Sequence, residues 1–222
     1  MGLPANTAAG TKLYFRPKSI GKVPGIHWTQ PNTQSRPVSI LNSGRKGIVF
    51  DGVDDYLTSI GTFPSGKTSI LIAESVRNHN LNSGVKVLFE LTAGTNNTRP
   101  GSVLLYGVNG GDLVTAAWNT GGAEYASSTA LESDPEAVVG TVDFSQAVDQ
   151  QITLQSNLGL GATNGLYAGS GNVAADTMYL MGRPADNAFY TQGELSALVV
   201  ATGPNILQYR DLARTWVATK QA

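Results

Sequence analysis

The sequence predicts an all-β protein, a two-sheet antiparallel sandwich of the jelly-roll type with one C-terminal helix. First, extended apolar stretches recur roughly every ten to fifteen residues, as they do in sandwiches rather than in alternating strand–helix folds. Second, glycine supplies 26 of 222 residues and charged residues only 14 %, a composition that suits short strands joined by tight turns. Third, a clear helical pattern occurs at the end of the chain, over residues 204–219.

The strand predictions start after a small, polar N-terminal arm at residues 1–11. Residues 17–37 contain four prolines and few apolar side chains, so a long loop is expected there, with Trp28 packed beneath it. Residues 125–136 are less regular, and residues 157–172 are expected to form a second long loop. Strands are predicted, in chain order, at residues 12–16, 48–60 (two strands around a corner), 68–76, 85–93, 102–108, 113–118, 137–144, 151–155, 177–181 and 194–201.

The strand predicted at residues 85–93 has the most regular alternation. Apolar side chains occupy every second position, namely Val85, Val87, Phe89 and Leu91. Lys86 and Glu90 fall between them and are expected on the opposite face. This alternation is typical of a half-buried antiparallel strand.

The C-terminal helix is predicted from Pro204, which is tolerated in a first helical turn because its missing N–H has no partner there. Apolar side chains then recur at helical spacing, at Ile206, Tyr209, Ala213, Trp216 and Val217. We therefore expect the helix to dock on the sandwich, with Trp216 as its main anchor.

A carboxylate-rich corner lies within the segment Gly47 to Thr58, which reads GIVFDGVDDYLT. Its aspartates, Asp51, Asp54 and Asp55, have two explanations. Aspartate side chains accept hydrogen bonds from nearby backbone N–H groups in tight turns. Several carboxylate oxygens close together also suit Ca²⁺. The sequence lacks the fixed ligand spacing of an EF-hand loop, so both explanations stay open.

Part of this corner, FDGVDDYL, resembles the F-D-G-x-D-D-Y-L signature of laminin-G-like domains in the concanavalin A-like lectin/glucanase superfamily. Trp28 and the Arg36-Pro37 pair match that group upstream, and the Leu-Met-Gly-Arg stretch ending at Arg183 matches it downstream. The resemblance implies one concanavalin A-like domain over residues 12–222, of a kind common in bacterial surface proteins and bacteriophage virions. The same fold hosts lectins, hydrolases, lyases and passive spacers.

Several classes of function and site are disfavoured by composition. The net charge of −1 provides no electrostatic footprint for nucleic acid. Cysteine is absent, so thiolate metal sites and disulfides are excluded. No apolar run approaches the roughly 18 residues of a membrane span, so membrane insertion is not expected. The first residues show neither a basic region nor an apolar segment of the signal-peptide kind.

Catalysis is not predicted. The chain has two histidines, His27 and His79, and no G-x-S-x-G elbow for a serine nucleophile. A retaining glycosidase needs two carboxyl groups about 5–5.5 Å apart. The glucanase pattern E-x-D-x-x-E that supplies them is missing. Five other acids have structural explanations: Glu132, Asp134 and Glu136 are expected in a solvated loop, and Glu74 and Glu90 at edge or surface positions.

Glycan binding is the remaining chemistry. Sugars have apolar faces and polar rims, so their sites combine aromatic rings with amides and carboxylates. The candidate group consists of Trp118 and Asn119 with Asp112 before them and Tyr125 after them. The alternative is that Trp118 and Tyr125 are ordinary core or sheet-face aromatics.

Taken with the resemblance, these observations predict a non-catalytic bacteriophage virion structural protein, such as a capsid decoration, head fibre or tail adhesion component, with weak glycan or host-surface binding. The alternative is a stand-alone carbohydrate-binding lectin module of a bacterial surface protein, and a glycan hydrolase or lyase ranks below both. The expected partners are other copies of the chain in a homo-oligomer, neighbouring virion proteins and a host-surface glycan. The expected location is the virion, assembled in the host cytoplasm, and Ca²⁺ is the one candidate cofactor.

Overall fold

The computed structural model describes residues 12–16, 27–29, 38–42, 45–77, 79–81, 83–92, 100–108, 111–119, 122–128, 136–157, 159–160, 162–164, 171–183 and 189–220. These residues form two antiparallel sheets and one C-terminal helix, which confirms the predicted sandwich. The predicted N-terminal arm, residues 1–11, lies outside them. Within the described ranges, no helix is both long and apolar enough to cross a membrane.

Sixteen strands build the described part of the sandwich, and α1 (Arg210–Ala218) follows the last of them. In chain order the strands are β1 (Lys12–Arg16), β2 (His27–Thr29), β3 (Val38–Asn42), β4 (Arg45–Asp51), β5 (Leu57–Ile60), β6 (Ser69–Arg77), β7 (Lys86–Leu91), β8 (Val103–Gly107), β9 (Leu113–Asn119), β10 (Gly122–Ser128), β11 (Glu136–Asp143), β12 (Ile152–Ser156), β13 (Gly159–Leu160), β14 (Ala162–Asn164), β15 (Met178–Leu180) and β16 (Gln192–Thr202).

Each sheet has eight strands. The first sheet runs β13-β12-β11-β6-β16-β4-β3. The long strand β16 pairs with β4 along its first part and with β1 along its last part. The second sheet runs β14-β10-β9-β8-β7-β15-β5-β2. Since both sheets mix strands from distant parts of the sequence, residues far apart in the chain become neighbours on one face.

The main core fills the space between the sheets. Its largest fully buried side chains include Phe50, Phe63, Phe89 and Leu105. Most of the loop expected to cover Trp28 lies outside the described residues, but Trp28 of β2 does pack against this core as a partly buried side chain. The short strand around it, however, interrupts the long loop that the prolines predict. Pairing with β5 holds β2 in place, which local sequence cannot show.

A second apolar cluster lies on the other face of the first sheet, beneath α1. Ala73 of β6 and Val199 of β16 belong to it, so these strands are buried on both faces. From the helix side, Ala213 and Val217 are buried, whereas Trp216 is only partly buried, with the Lys220 ammonium 5.2 Å from the centre of its ring. Trp216 is therefore not the main anchor that we expected.

The helical segment is also shorter than predicted. Asn205 has a φ of 55°, a left-handed conformation that separates Pro204 from any regular helix. One 3₁₀ turn, Ile206–Tyr209, then precedes α1. The buried Ile206 of that turn joins the same apolar cluster, so the docking face predicted from the periodicity is present.

Three predictions need correction. The stretch expected to be a long loop, residues 157–172, contains the short strands β13 and β14. The alternation predicted for residues 85–91 is broken by a bulge at Leu88, so that Val87 lies opposite Tyr106 while Phe89, two residues later, lies opposite the next residue, Leu105. Leu88 itself then enters the main core. In addition, β10 (Gly122–Ser128) extends into the stretch from residue 125 that is predicted to be less regular, because its small side chains give a weak strand signal.

Candidate functional site

The face of the second sheet that points away from the main core carries a continuous row of paired residues. Ala116 of β9 lies opposite Leu104 of β8, which lies opposite Glu90 of β7. Glu90 in turn lies opposite Tyr179 of β15, and Tyr179 opposite Thr58 of β5. Residues directly opposite in an antiparallel sheet share a face, so this outer face combines apolar, acidic and aromatic side chains.

An apolar patch occupies the β8–β9 half of this outer face. Leu104, Val114 and Ala116 are buried there, and the partly buried Tyr106, Val108 and Trp118 pack against them. We call these six residues the aromatic patch. An antiparallel sheet usually presents polar side chains on its outer face, so an apolar floor with two aromatic rings on it is a candidate contact surface.

Only part of the predicted glycan-binding group is brought together. Asp112 precedes β9 and Trp118 lies near its end, so six extended residues place them about 20 Å apart. Asn119 pairs with Gly122, and Tyr125 lies opposite Ala116 in the register. The side chains of Asn119 and Tyr125 lie outside what the structure describes. Tyr106, which the sequence did not single out, lies opposite Val114 and replaces Asp112 in the group.

A buried ion pair lies at the centre of the outer face. Arg183 Nε donates to Glu90 Oε2 at 2.6 Å, with the two side chains 10 % and 1 % exposed. The guanidinium also lies 5.0 Å from the centre of the Phe189 ring. The expectation that Glu90 is a surface residue is therefore wrong, because a cation 93 residues further along the chain neutralises it.

Three tyrosines, Tyr56, Tyr179 and Tyr190, adjoin this ion pair, and we call them the tyrosine group. The rings of Tyr56 and Tyr190 are 6.3 Å apart between centres. Gly182 permits this packing, since a Cβ there would lie 2.5 Å from Tyr190 Cδ1. Tyr56 and Tyr179 are half-buried, whereas Tyr190 is buried.

Burial raises the pKa of all three tyrosine hydroxyls above the usual value, and it is the largest cause for each. The carboxylates of Asp176 and Glu90 raise the pKa of Tyr179 further. Asp54 contributes to the raised pKa of Tyr190. The carboxylates of Asp54, Asp176 and Glu90 therefore lie close to the tyrosine hydroxyls at this end of the outer face.

The carboxylate-rich corner is compact, as the sequence predicts. One side-chain oxygen from each of Asp51, Asp54 and Asp55 lies within 4.8 Å of the others. Asp51 Oδ1 accepts from the Val53 N–H at 2.8 Å, and Asp55 Oδ2 accepts from the Asp51 N–H at 2.9 Å. Burial first, and then the charges of Asp51 and Asp54, raise the pKa of Asp55. Hydrogen bonding within the turn is thus established, and Ca²⁺ binding stays a prediction.

Two further acids lie inside the sandwich rather than at its surface. Glu136, expected in a solvated loop, begins β11 and is fully buried, with its Oε1 accepting the Asn157 N–H at 2.8 Å. Glu74, expected at an edge or surface, is fully buried in β6. Glu132 and Asp134 lie outside the described residues. Neither buried acid faces a surface where a polysaccharide could reach it.

A comparison with protein-family models finds no match, and a comparison with curated proteins finds none either. Solved structures do match. The CBM40 domain of the Ruminococcus gnavus IT-sialidase, solved bound to α2,3-sialyllactose, superposes with a TM-score of 0.50 at 17 % identity, over 69 % of this chain and 88 % of that one. The binding domain of botulinum neurotoxin DC, solved with rat synaptotagmin II, gives 0.52 at 11 % identity, over 86 % of this chain and 46 % of that one. This chain shares their fold. At such identities the likeness extends to the sandwich alone.

Proposed function

We propose that this protein is a non-catalytic carbohydrate-binding module whose aromatic patch receives the apolar face of a sugar. The observation that carries the proposal is the pair of partly buried rings, Tyr106 and Trp118, over the apolar floor of the second sheet. Sugar rings stack on aromatic rings, and their hydroxyl groups bond to the polar groups around them. The register places the two aromatic residues about 14 Å apart, so an oligosaccharide rather than one sugar would span them.

The fold supports the same class of function. The Ruminococcus gnavus domain, of which this chain spans 88 %, is described as a carbohydrate-binding module with sialyllactose bound. A lectin module of a surface protein, the alternative drawn from the sequence, therefore becomes our preferred function. The shared fold alone does not transfer a ligand, so the glycan must be found by experiment.

The non-catalytic part of the proposal follows from where the described acids lie. Glu74 and Glu136 are buried inside the sandwich, and Glu90 is paired with Arg183. A glycosidase needs two carboxyl groups that face the sugar from opposite sides of the scissile bond. Glu74 and Glu136 are enclosed in the sandwich and Glu90 is held in its ion pair, so none of the three is placed for that role.

Tryptophan fluorescence tests the proposal, because the chain has three tryptophans in different places. Oligosaccharide binding should change the emission of Trp118, and the change should disappear in Trp118→Phe. Trp216→Phe is the matched control, since Trp216 belongs to α1, which packs on the other sheet, and its replacement should leave the change in emission intact. A change that persists in Trp118→Phe and disappears in Trp216→Phe would place the ligand elsewhere and refute the proposed site.

The virion role, the homo-oligomeric state and the location in a phage particle stay predictions from the sequence resemblance. Their test is different: sedimentation of a producing-cell lysate, followed by detection of the protein. Recovery with phage particles would support the virion prediction. Recovery with cell envelopes or in the medium would support the surface-module proposal.

A further inference from the structure

A second aromatic site lies on the same outer face as the aromatic patch, at its other end. In the row of paired residues, Tyr179 is three strands from Ala116, or about 14 Å across the sheet. The buried Leu104 and Glu90 lie between them. The tyrosine group is therefore a separate surface from the aromatic patch, on the same side of the protein.

The tyrosine group has the chemistry of a sugar contact. Tyrosine offers a ring face for stacking and a hydroxyl that both donates and accepts hydrogen bonds. Tyr56 and Tyr179 keep part of their surface exposed, and the Tyr190 ring packs 6.3 Å from the Tyr56 ring, beside Gly182. Glu90, which lies opposite Tyr179 on the neighbouring strand, is held by its ion pair with Arg183.

The electrostatic surroundings limit what can bind there. After burial, the groups that raise the pKa of the Tyr179 hydroxyl are Asp176, Glu90 and Tyr56, and those that raise the pKa of the Tyr190 hydroxyl are Tyr56 and Asp54. Arg183, the cation at this point, is held by Glu90 at 2.6 Å. Partial burial and nearby negative charge both disfavour an anion, whether it is a phenolate or a carboxylate carried by a ligand.

Building on the proposed glycan-binding function, we propose that the tyrosine group is a second sugar subsite that accepts uncharged sugar units and rejects those carrying a carboxylate. The module as a whole would then select neutral oligosaccharides over acidic ones. This selectivity is set by Asp54 and Asp176, because the charge of Glu90 is balanced by Arg183. The tyrosine hydroxyls and ring faces provide the attraction.

The test is an array of matched oligosaccharide pairs, each neutral chain printed beside its carboxylate-bearing counterpart, such as lactose with sialyllactose and cello-oligosaccharides with oligoglucuronates. We expect each bound neutral chain to bind at least about tenfold more tightly than its acidic counterpart, with a difference that narrows in high salt. Equal or tighter binding of the acidic partners would overturn this inference and leave the proposed function standing. If the folded protein binds neither member of any pair, the proposed function itself fails.

Variants separate charge from packing. Asp176→Asn removes the charge but can still accept the Thr177 N–H, which Asp176 Oδ1 accepts at 2.7 Å. This variant should lower the ratio of the affinity for the neutral chain to the affinity for the acidic chain several-fold. Asp211→Asn, on the exposed side of α1, removes the same charge on the opposite side of the protein and should leave the ratio unchanged. Tyr179→Phe should weaken binding of neutral chains. An unchanged ratio in Asp176→Asn, or unchanged neutral binding in Tyr179→Phe, would overturn the subsite.

Discussion

Glu74 of β6 lies directly opposite Leu198 of β16, on the face of the first sheet that points into the main core. Its side chain is fully buried, and neither carboxyl oxygen has a hydrogen-bond partner. Burial raises the pKa of Glu74 to about 8 from an ordinary value of 4.5. The folded protein therefore holds this carboxyl group in its neutral form at neutral pH, because an unpaired buried charge would be far more costly.

The first prediction concerns pH. The folded-state pKa of Glu74 is raised, so its contribution to stability is fully present below the unfolded-state pKa and is lost as pH rises towards about 8. Across that window the free energy of unfolding should fall by up to about 1.4 kcal/mol per pH unit through this group. Glu74→Gln should remove this dependence. Urea unfolding of both proteins at several pH values measures it, and parallel curves for the two proteins would contradict the prediction.

The second prediction concerns the pair of Arg183 and Glu90. Arg183→Met leaves the Glu90 carboxylate buried without its cation, and we expect a loss of about 3–5 kcal/mol of unfolding free energy. Replacing both residues, with Glu90→Gln added, should recover part of that loss because no buried charge is left unpaired. A double-mutant cycle by chemical denaturation measures the coupling. Strictly additive losses would show that the two side chains do not stabilise each other.

The third prediction tests the contact between the sheets at Gly140 and Thr115. A Cβ on Gly140 would lie 2.6 Å from Thr115 Oγ1 and 3.2 Å from its Cγ2. Gly140→Ala should therefore destabilise the protein by about 1–3 kcal/mol. Adding Thr115→Ala removes both atoms, and Thr115 Oγ1 has no hydrogen-bond partner to lose. The double variant should be more stable than Gly140→Ala alone. A double variant that is less stable than either single one would place the clash elsewhere.

The fourth prediction concerns the carboxylate-rich corner. Asp51→Ala removes the acceptor of the Val53 N–H and should cost about 1 kcal/mol of unfolding free energy. The calcium prediction is tested by a different measurement, the Tm with and without Ca²⁺. Added Ca²⁺ should then raise the Tm of the wild type but not that of Asp54→Asn, because binding to the folded state alone stabilises it. If neither Ca²⁺ nor EDTA changes the Tm of the wild type, the calcium prediction is refuted. Stabilising the turn is then the role of these residues.

The sandwich was predictable because its central strands contain clear apolar stretches. The apolar stretch ILIA in β6 predicts a strand, and the structure buries that strand on both faces. By contrast, β10 consists mostly of small residues and is held by its pairing with β9 and β14. The bulge in β7 depends on its neighbour β8. Features that depend on pairing between strands leave little trace in local sequence.

The candidate site was only partly predictable for the same reason. Trp118 was identified, but the group drawn around it relied on proximity in sequence, and Asp112 lies at the far end of the strand. The burial of Glu90 depends on Arg183, whose distance along the chain hides the pair from any local pattern. Glu74 did carry a usable signal. Its even spacing from Ile70 and Ile72 places it on the core face of β6.

The central claim is that the outer face of the second sheet binds a neutral glycan through Trp118. Its most direct test is calorimetric titration of the wild type and Trp118→Ala with the tightest-binding oligosaccharide from the array, after circular dichroism has shown both proteins to be folded. We predict measurable heat for the wild type and at least about tenfold weaker binding for the variant. Equal affinity for the two proteins would contradict the account.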